Sequence, residues 1–392
     1  MNNIGQRPFS WAVRHAPEAV TQLLARYQPP LHETEPWTTG WSPIREVMDA
    51  ARASISSNDL KTTRNLITTL LEAGFDANAV MADGWTALSA AVRYGSRETV
   101  DLLLQKGAKA DADILRMSIK HGQPSVAQLL LQHTGIILDE GGGEKPPLIY
   151  AARKKRNQHA WLLLEAGYSP NVQDSIGWTA LHHALQQDNE PLAWLLMSKS
   201  ASPNIQNEHK RTAIHFAVER RNLAMLHLLC MCIPWQHSEA SGQDGETRQP
   251  TRPRLDLVDE QGMTPIHRAV LTNNLGVLQI LLRCGGRECL DVRDHSGAAP
   301  LHHAVTLDWK MGSGHIAAEL LTAGASLNVL DDRKTTPLMW AAERGDLEFV
   351  VFLLQRGAYK HARDAENHTA EDLATTGGHA NVASCIKWWT HL

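Results

Sequence analysis

The chain has 392 residues, 43% of them apolar and 20% charged, with a formal net charge of -4. That length exceeds one ordinary globular domain, and the near-neutral balance supplies no global field for nucleic acid or an anionic membrane surface. The opening stretch MNNIGQRPFSWAVRHAPEAV has no apolar run of signal-peptide type, and no later segment has the uninterrupted apolar length of a membrane span, so a soluble protein of the cytoplasm or nucleus is expected.

In chain order, the expected elements are helix pairs written on one template. RPFSWAVRHAPEAVTQLLARY is an imperfect first copy, and an insertion around DAARASISSNDLKTTRN separates the helices of the next. WTALSAAVRYGSRETVDLLLQKGAKAD starts at Trp85, DILRMSIKHGQPSVAQLLLQH is a weaker copy, and PPLIYAARKKRNQHAWLLLEAGYSPN starts at Pro146. Thr179 and Thr212 then open two copies 33 residues apart, and a polar, Gly-, Pro- and Ser-rich insertion from Pro234 to Leu255 follows. That composition predicts a mobile loop. MTPIHRAV begins at Met263 and APLHHAV at Ala299, the latter carrying a short insertion, DWKMGSGH. Thr336 and Thr369 open the last two copies, again 33 residues apart.

Self-similarity at this period, carrying T-P-L-H-x-A-A, L-L-L and G-A signals in order, closely resembles the ankyrin repeat family. The resemblance covers nearly the whole chain in about eleven copies. It implies an all-α solenoid of stacked helix-turn-helix units, with β-turn or hairpin-like loops and a concave groove. One array over residues 1–392 is expected, with degenerate caps at about 1–36 and 364–392 and the insertion at about 234–255. Terminal copies depart from the template, as Asp372 does in the His position, because one of their faces meets water.

The residue types of one copy follow from helix chemistry. In Thr264-Pro265-Ile266-His267, Thr is the expected N-cap, Pro fits the first helical position, and His267 at the third position can reach back toward the cap. Ala269 lets the second helix approach. Val277, Leu278, Ile280, Leu281 and Leu282 form that helix's apolar stripe, and Gly285-Gly286 end it.

The doubled histidines His182-His183 and His302-His303 divide on this template. His182, His215, His267 and His302 recur at the capping position and read as scaffold. His183 and His303 occupy the next position, filled elsewhere by Tyr150, Phe216, Arg268 and Trp340, which reads as a groove position with no fixed chemistry. Adjacent residues on a helix point about 100° apart and no H-E-x-x-H accompanies them, so no metal site is expected. The five cysteines, Cys230, Cys232, Cys284, Cys289 and Cys385, lack a double CxxC pattern and are expected to be reduced.

Candidate binding residues are those that vary between copies. Trp41, Trp85 and Trp178 stand just before the capping Thr, where a flat amphipathic ring serves a surface. After the Ala pair come Arg93-Tyr94, Lys120-His121 and Arg153-Lys154, a basic and aromatic first half that suits an acidic ligand. No phosphate loop, dinucleotide fingerprint, nucleophile elbow or kinase motif set is present. The expected function is a monomeric scaffold that binds a protein or peptide through its concave face, without cofactor, nucleic acid or membrane. The alternatives are a groove adapted to a small molecule or to catalysis under the 234–255 loop, with His121, His183, Glu219 and His303 as acid-base candidates, and a substrate-recruiting adaptor.

Overall fold

The structure, a computed structural model, describes residues 85–94, 97–134, 146–230, 252–307 and 313–390, with short pieces at 12, 16, 19–20, 22, 65, 67–72 and 76–78. Among the described residues the regular structure is helical, without strands. The chain divides into two compact units, Met1–Ser169 and Pro170–Leu392.

The first unit contains α1 (Ala87–Tyr94), α2 (Arg97–Gln105), α3 (Ala112–His121), α4 (Pro124–Thr134), α5 (Pro147–Arg153) and α6 (Asn157–Glu165). Its first helices α1, α3 and α5 pack side by side, and its second helices α2, α4 and α6 form a parallel layer. The second unit contains α7 (Ala180–Gln186), α8 (Glu190–Ser198), α9 (Ala213–Glu219), α10 (Leu223–Cys230), α11 (Pro265–Leu271) and α12 (Leu275–Arg283). A short 3₁₀ turn (Gly286–Cys289) follows, then α13 (Pro300–Thr306), α14 (Ser313–Ala323), α15 (Pro337–Arg344), α16 (Leu347–Gln355), α17 (Ala370–Thr376) and α18 (Ala380–Trp388). The first helices α7, α9, α11, α13, α15 and α17 again stack in sequence.

Small residues permit this stacking. Ala184, Ala217, Ala269, Ala304, Ala341 and Ala374 occupy one template position and are fully buried, while Leu196, Leu229, Leu281, Leu320 and Leu353 fill the space from the second helices. Truncating Leu281 to Ala removes a fully buried isobutyl group, a change that costs about 2–5 kcal/mol.

The expected cap of Thr264 is present. Its hydroxyl accepts from the His267 N–H, and Pro265 sits in the first turn. Thr179 caps α7 and Thr336 caps α15 in the same way. The second helices use Asn or Asp caps, with Asn189, Asn222, Asn274 and Asp346 side chains accepting from Leu192, Met225, Val277 and Phe349 N–H groups. Between the two helices of a pair one residue takes a left-handed conformation. Gly122 and Gly345 do so easily, whereas Lys155, Asp188, Arg221 and Asn273 adopt it at φ of 50 to 54°.

Successive copies are held in register by a ladder of loop side chains. The Asn78 Oδ1 accepts from Lys109 N–H, Asn171 from Ser202, Asn204 from Arg254, Asp291 from Ser326 and Asn328 from Tyr359, all at 2.7 to 2.9 Å. The Asn204 rung also donates to the Arg252 carbonyl, and Leu255 is buried, so residues 252–255 already belong to the stack.

Candidate functional site

Three of the capping histidines, His215, His267 and His302, are bridges as well as caps. The His215 Nδ1 accepts from the Thr212 N–H at 3.2 Å, and its Nε2–H donates to the Met263 carbonyl of the next copy at 3.2 Å. The His267 and His302 Nε2–H groups likewise donate to Ala298 and Thr335 carbonyls. His182 shares the cap, its Nδ1 accepting from the Thr179 N–H at 3.0 Å, but its buried Nε2 has no hydrogen-bond partner among the described residues. These contacts fix the neutral imidazole with hydrogen on Nε2. A second proton on Nδ1 would confront a backbone N–H, and burial pushes His182, His215 and His267 down to about 4.

In four copies the residue after the capping position, His183, Arg268, His303 or Trp340, has a partner nine residues earlier. An aspartate in the preceding turn accepts backbone N–H bonds there, as Asp294 does from Ser296 and Ala298, and turns its second oxygen to the helix. His303 Nε2 meets Asp294 at 2.7 Å, His183 Nε2 meets Asp174 at 3.4 Å, and Trp340 Nε1 donates to Asp331 at 3.0 Å. Arg268 grips Asp259 through Nε at 2.8 Å and through Nη2. Burial raises the Asp294 and Asp259 carboxyls, but the hydrogen bonds they accept from His303, Ser296 and Arg268 outweigh it and hold both below the ordinary carboxylate range. At Phe216, which has no donor, the turn residue is the neutral Asn207. Sequence reasoning did not single out Asp174, Asp259, Asp294 or Asp331; their constant offset and the Asn207–Phe216 exchange were the available signals.

The structure brings several sequence-derived candidates of the second unit together. The Trp178 ring lies 4.9 Å from both His183 and Phe216, forming one aromatic cluster at the turn tip. His303 and Trp340 meet edge to face at 6.3 Å. The acid-base candidates of this unit are each engaged by a different partner: His183 by Asp174, Glu219 by Arg211 at 3.1 Å, and His303 by Asp294. Among the described residues, no group of three or more His, Cys, Asp or Glu is arranged to hold a metal ion.

The first unit presents a different chemistry. Arg93, Lys120, His121, Arg153 and Lys154 are exposed at the C-terminal ends of α1, α3 and α5, and Lys155 and Arg156 extend the same ends. The row is continuous in space. His121 is pushed below its ordinary pKa by burial and then by Lys120 and Arg93, and the Arg156 guanidinium covers Gly122 within 3.3 Å of where a side chain would begin. Two aromatics lie beneath it. The Arg93 guanidinium sits 5.0 Å over the half-buried Trp85 ring, and Lys154 Nζ sits 6.0 Å from the Tyr150 centroid. Lys155 and Arg156 were not singled out from sequence because they fall in the interhelical turn. Tyr94 belongs to α1, and Trp41 lies outside the described residues.

Ankyrin repeat models match residues 9–114, 47–141, 148–238 and 308–386, and a single-repeat model matches 261–295. Among relatives, zebrafish (Danio rerio) neurogenic locus notch homolog protein 1 is 33% identical over 114 residues, which is 29% of this chain and 4% of that protein. Human neurogenic locus notch homolog protein 2 is 32% identical over 106 residues, 27% of this chain and again 4% of the relative. The chain therefore spans a small part of these long proteins. A solved ankyrin repeat domain, that of Bcl-3, superposes with a TM-score of 0.51 at 25% identity, covering 63% of this chain and all of the other.

Proposed function

On the premise that the chain belongs to the ankyrin repeat family, we propose that it is a protein-interaction scaffold whose first unit docks an acidic segment of a partner protein. The observation that carries this reading is the cation row at the ends of α1, α3 and α5, built from Arg93, Lys120, Arg153 and Lys154 on successive copies. A preformed row of like charge draws an oppositely charged segment by long-range attraction and then fixes its register through charge-assisted hydrogen bonds. Trp85 and Tyr150 add flat apolar area next to the charges, the kind of surface that supports the central contacts of an interface. The mechanism is recognition, without bond chemistry. The same reading takes residues 1–392 as one array that acts as a monomer in the cytoplasm and uses no cofactor.

By contrast, His183, Arg268, His303 and Trp340 in the second unit are engaged by their turn aspartates. Their polar ends hold turns in place, which assigns them to scaffold support.

The test uses the full chain and a fluorescent glutamate-rich peptide, followed by anisotropy. Expected is binding that weakens as salt rises, and at least a tenfold loss in the Arg93→Glu, Lys120→Glu, Lys154→Glu triple variant. Equal binding by the wild-type chain and a correctly folded triple variant would overturn the proposal.

A further inference from the structure

A pair of thiols lies outside the surface described above. Cys230 ends α10 and Cys284 closes α12, and these two helices are neighbours in the second-helix layer of the second unit. The Cys284 thiol is in hydrogen-bonding reach of the Cys230 thiol, and both residues are half-buried, open enough for a small oxidant. The other described cysteines differ. Cys289 is buried, and Cys385 sits on α18, the last helix.

We propose that Cys230 and Cys284 form a peroxide-responsive dithiol that closes to an intrachain disulfide and staples two adjacent repeats together across the long insertion. The two cysteines stand at the ends of packed neighbouring helices with their thiols within hydrogen-bonding reach, so closure requires the sulfurs to approach to the bond length of about 2 Å. The steps balance with hydrogen peroxide as oxidant. The Cys284 thiolate attacks one peroxide oxygen, the O–O bond breaks, and hydroxide leaves, giving a sulfenic acid on Cys284. The Cys230 thiol then attacks that sulfur and water leaves. In sum, two thiols and one peroxide give one disulfide and two waters, with two electrons passing from sulfur to oxygen.

The assignment of attacker to Cys284 follows from its surroundings. The hydrogen bond from Cys230 stabilises its thiolate and draws its pKa below the ordinary thiol value, outweighing burial. Burial pushes Cys289 and Cys385 the other way, so both serve as internal controls. The link would join residues far apart in sequence, the situation in which a crosslink most restricts the unfolded chain.

The experiment treats the reduced full chain with hydrogen peroxide and maps peptides by mass spectrometry without reduction. A Cys232→Ser chain is mapped in parallel, so that the partner of Cys284 is assigned without ambiguity. Expected is a Cys230–Cys284 peptide pair lighter by two hydrogens, formed before Cys289 or Cys385 is modified, and a higher thermal midpoint that dithiothreitol reverses. In Cys230→Ala, Cys284 should stop at the sulfenic acid and be trapped by dimedone. If the wild-type chain reacts without forming this pair, or forms it no faster than Cys385 reacts, the proposal fails.

Discussion

A charged or polar side chain on a helix surface reads as available for binding until its partner is located, and in the second unit the partner is a turn aspartate. Arg268 and Asp259 show what this pairing costs to break. Asp259 has a side chain 0% exposed and Arg268 one 15% exposed, and Asp259→Asn removes the carboxylate oxygen that takes two of the three hydrogen bonds from the guanidinium, leaving the one to Gln261. Loss of a buried ion-pair partner destabilises by about 3–5 kcal/mol when the remaining charge has no other relief. Asn retains the turn hydrogen bonds, so the expected cost here is at the lower end. The double change Asp259→Asn with Arg268→Phe copies the natural Asn207–Phe216 combination and should recover most of the loss in urea unfolding. An additive result, with the double variant worse than either single change, would show that the two positions are not coupled.

The capping histidines give a pH prediction. In the unfolded chain they titrate near 6.5, whereas in the fold His182, His215 and His267 titrate at about 4. Between those values the unfolded state binds protons that the native state does not, so acidification favours unfolding. Their full contribution is present above about pH 6.5, falls as pH drops, and is gone below about 4. Each contributes at most on the order of 3 kcal/mol. The urea midpoint should fall between pH 7.5 and pH 5, and His215→Gln with His267→Gln should flatten that slope. An unchanged midpoint would mean that these imidazoles titrate normally.

At the scale of elements, the turns rather than the helices carry the strain. Arg221 holds φ of 54° between α9 and α10, where Gly would have no such penalty, so Arg221→Gly should stabilise by roughly 1 kcal/mol. Gly297 is the opposite case. It has φ of 76°, and a methyl group there would run into the Asp332 carboxylate and backbone N, so Gly297→Ala should cost more than Arg221→Gly gains. Equal and small effects at both sites would remove turn geometry as the controlling factor. Helix positions and caps were legible in the sequence because Thr, Pro, His and the Leu stripe each answer a local requirement. The histidine bridges and the Asn ladder were not, because Met263 lies 48 residues from His215 and Arg254 lies 50 from Asn204. Contacts of that separation are set by stacking, which a local pattern does not encode.

At the scale of the whole molecule, the repeat family was legible across most of the chain and so was the basic character of its first half, whereas the engagement of the second-half candidates by turn residues was not. Nine candidate binding positions came from two template slots: Arg93, Lys120, Arg153 and Lys154 after the Ala pair, and His183, Phe216, Arg268, His303 and Trp340 after the capping position. Exposure separates them, with the cations of the first unit exposed and His183, Arg268, His303 and Trp340 of the second buried or half-buried against turn aspartates. The reading predicts that function and stability respond to different residues. Charge reversal at Arg93, Lys120 and Lys154 should leave the unfolding midpoint nearly unchanged, since exposed charges contribute about 0–1 kcal/mol, while changes at Asp259 or Asp294 should lower it with little direct effect on binding. The most direct measurement is crosslinking mass spectrometry on the full chain in cell extract, with the Arg93→Glu, Lys120→Glu, Lys154→Glu chain alongside. The account predicts partner crosslinks concentrated around residues 93–156, on acidic segments of the partner, and lost in the charge-reversed chain. Crosslinks of equal yield in both chains, or confined to residues 170–390, would contradict it.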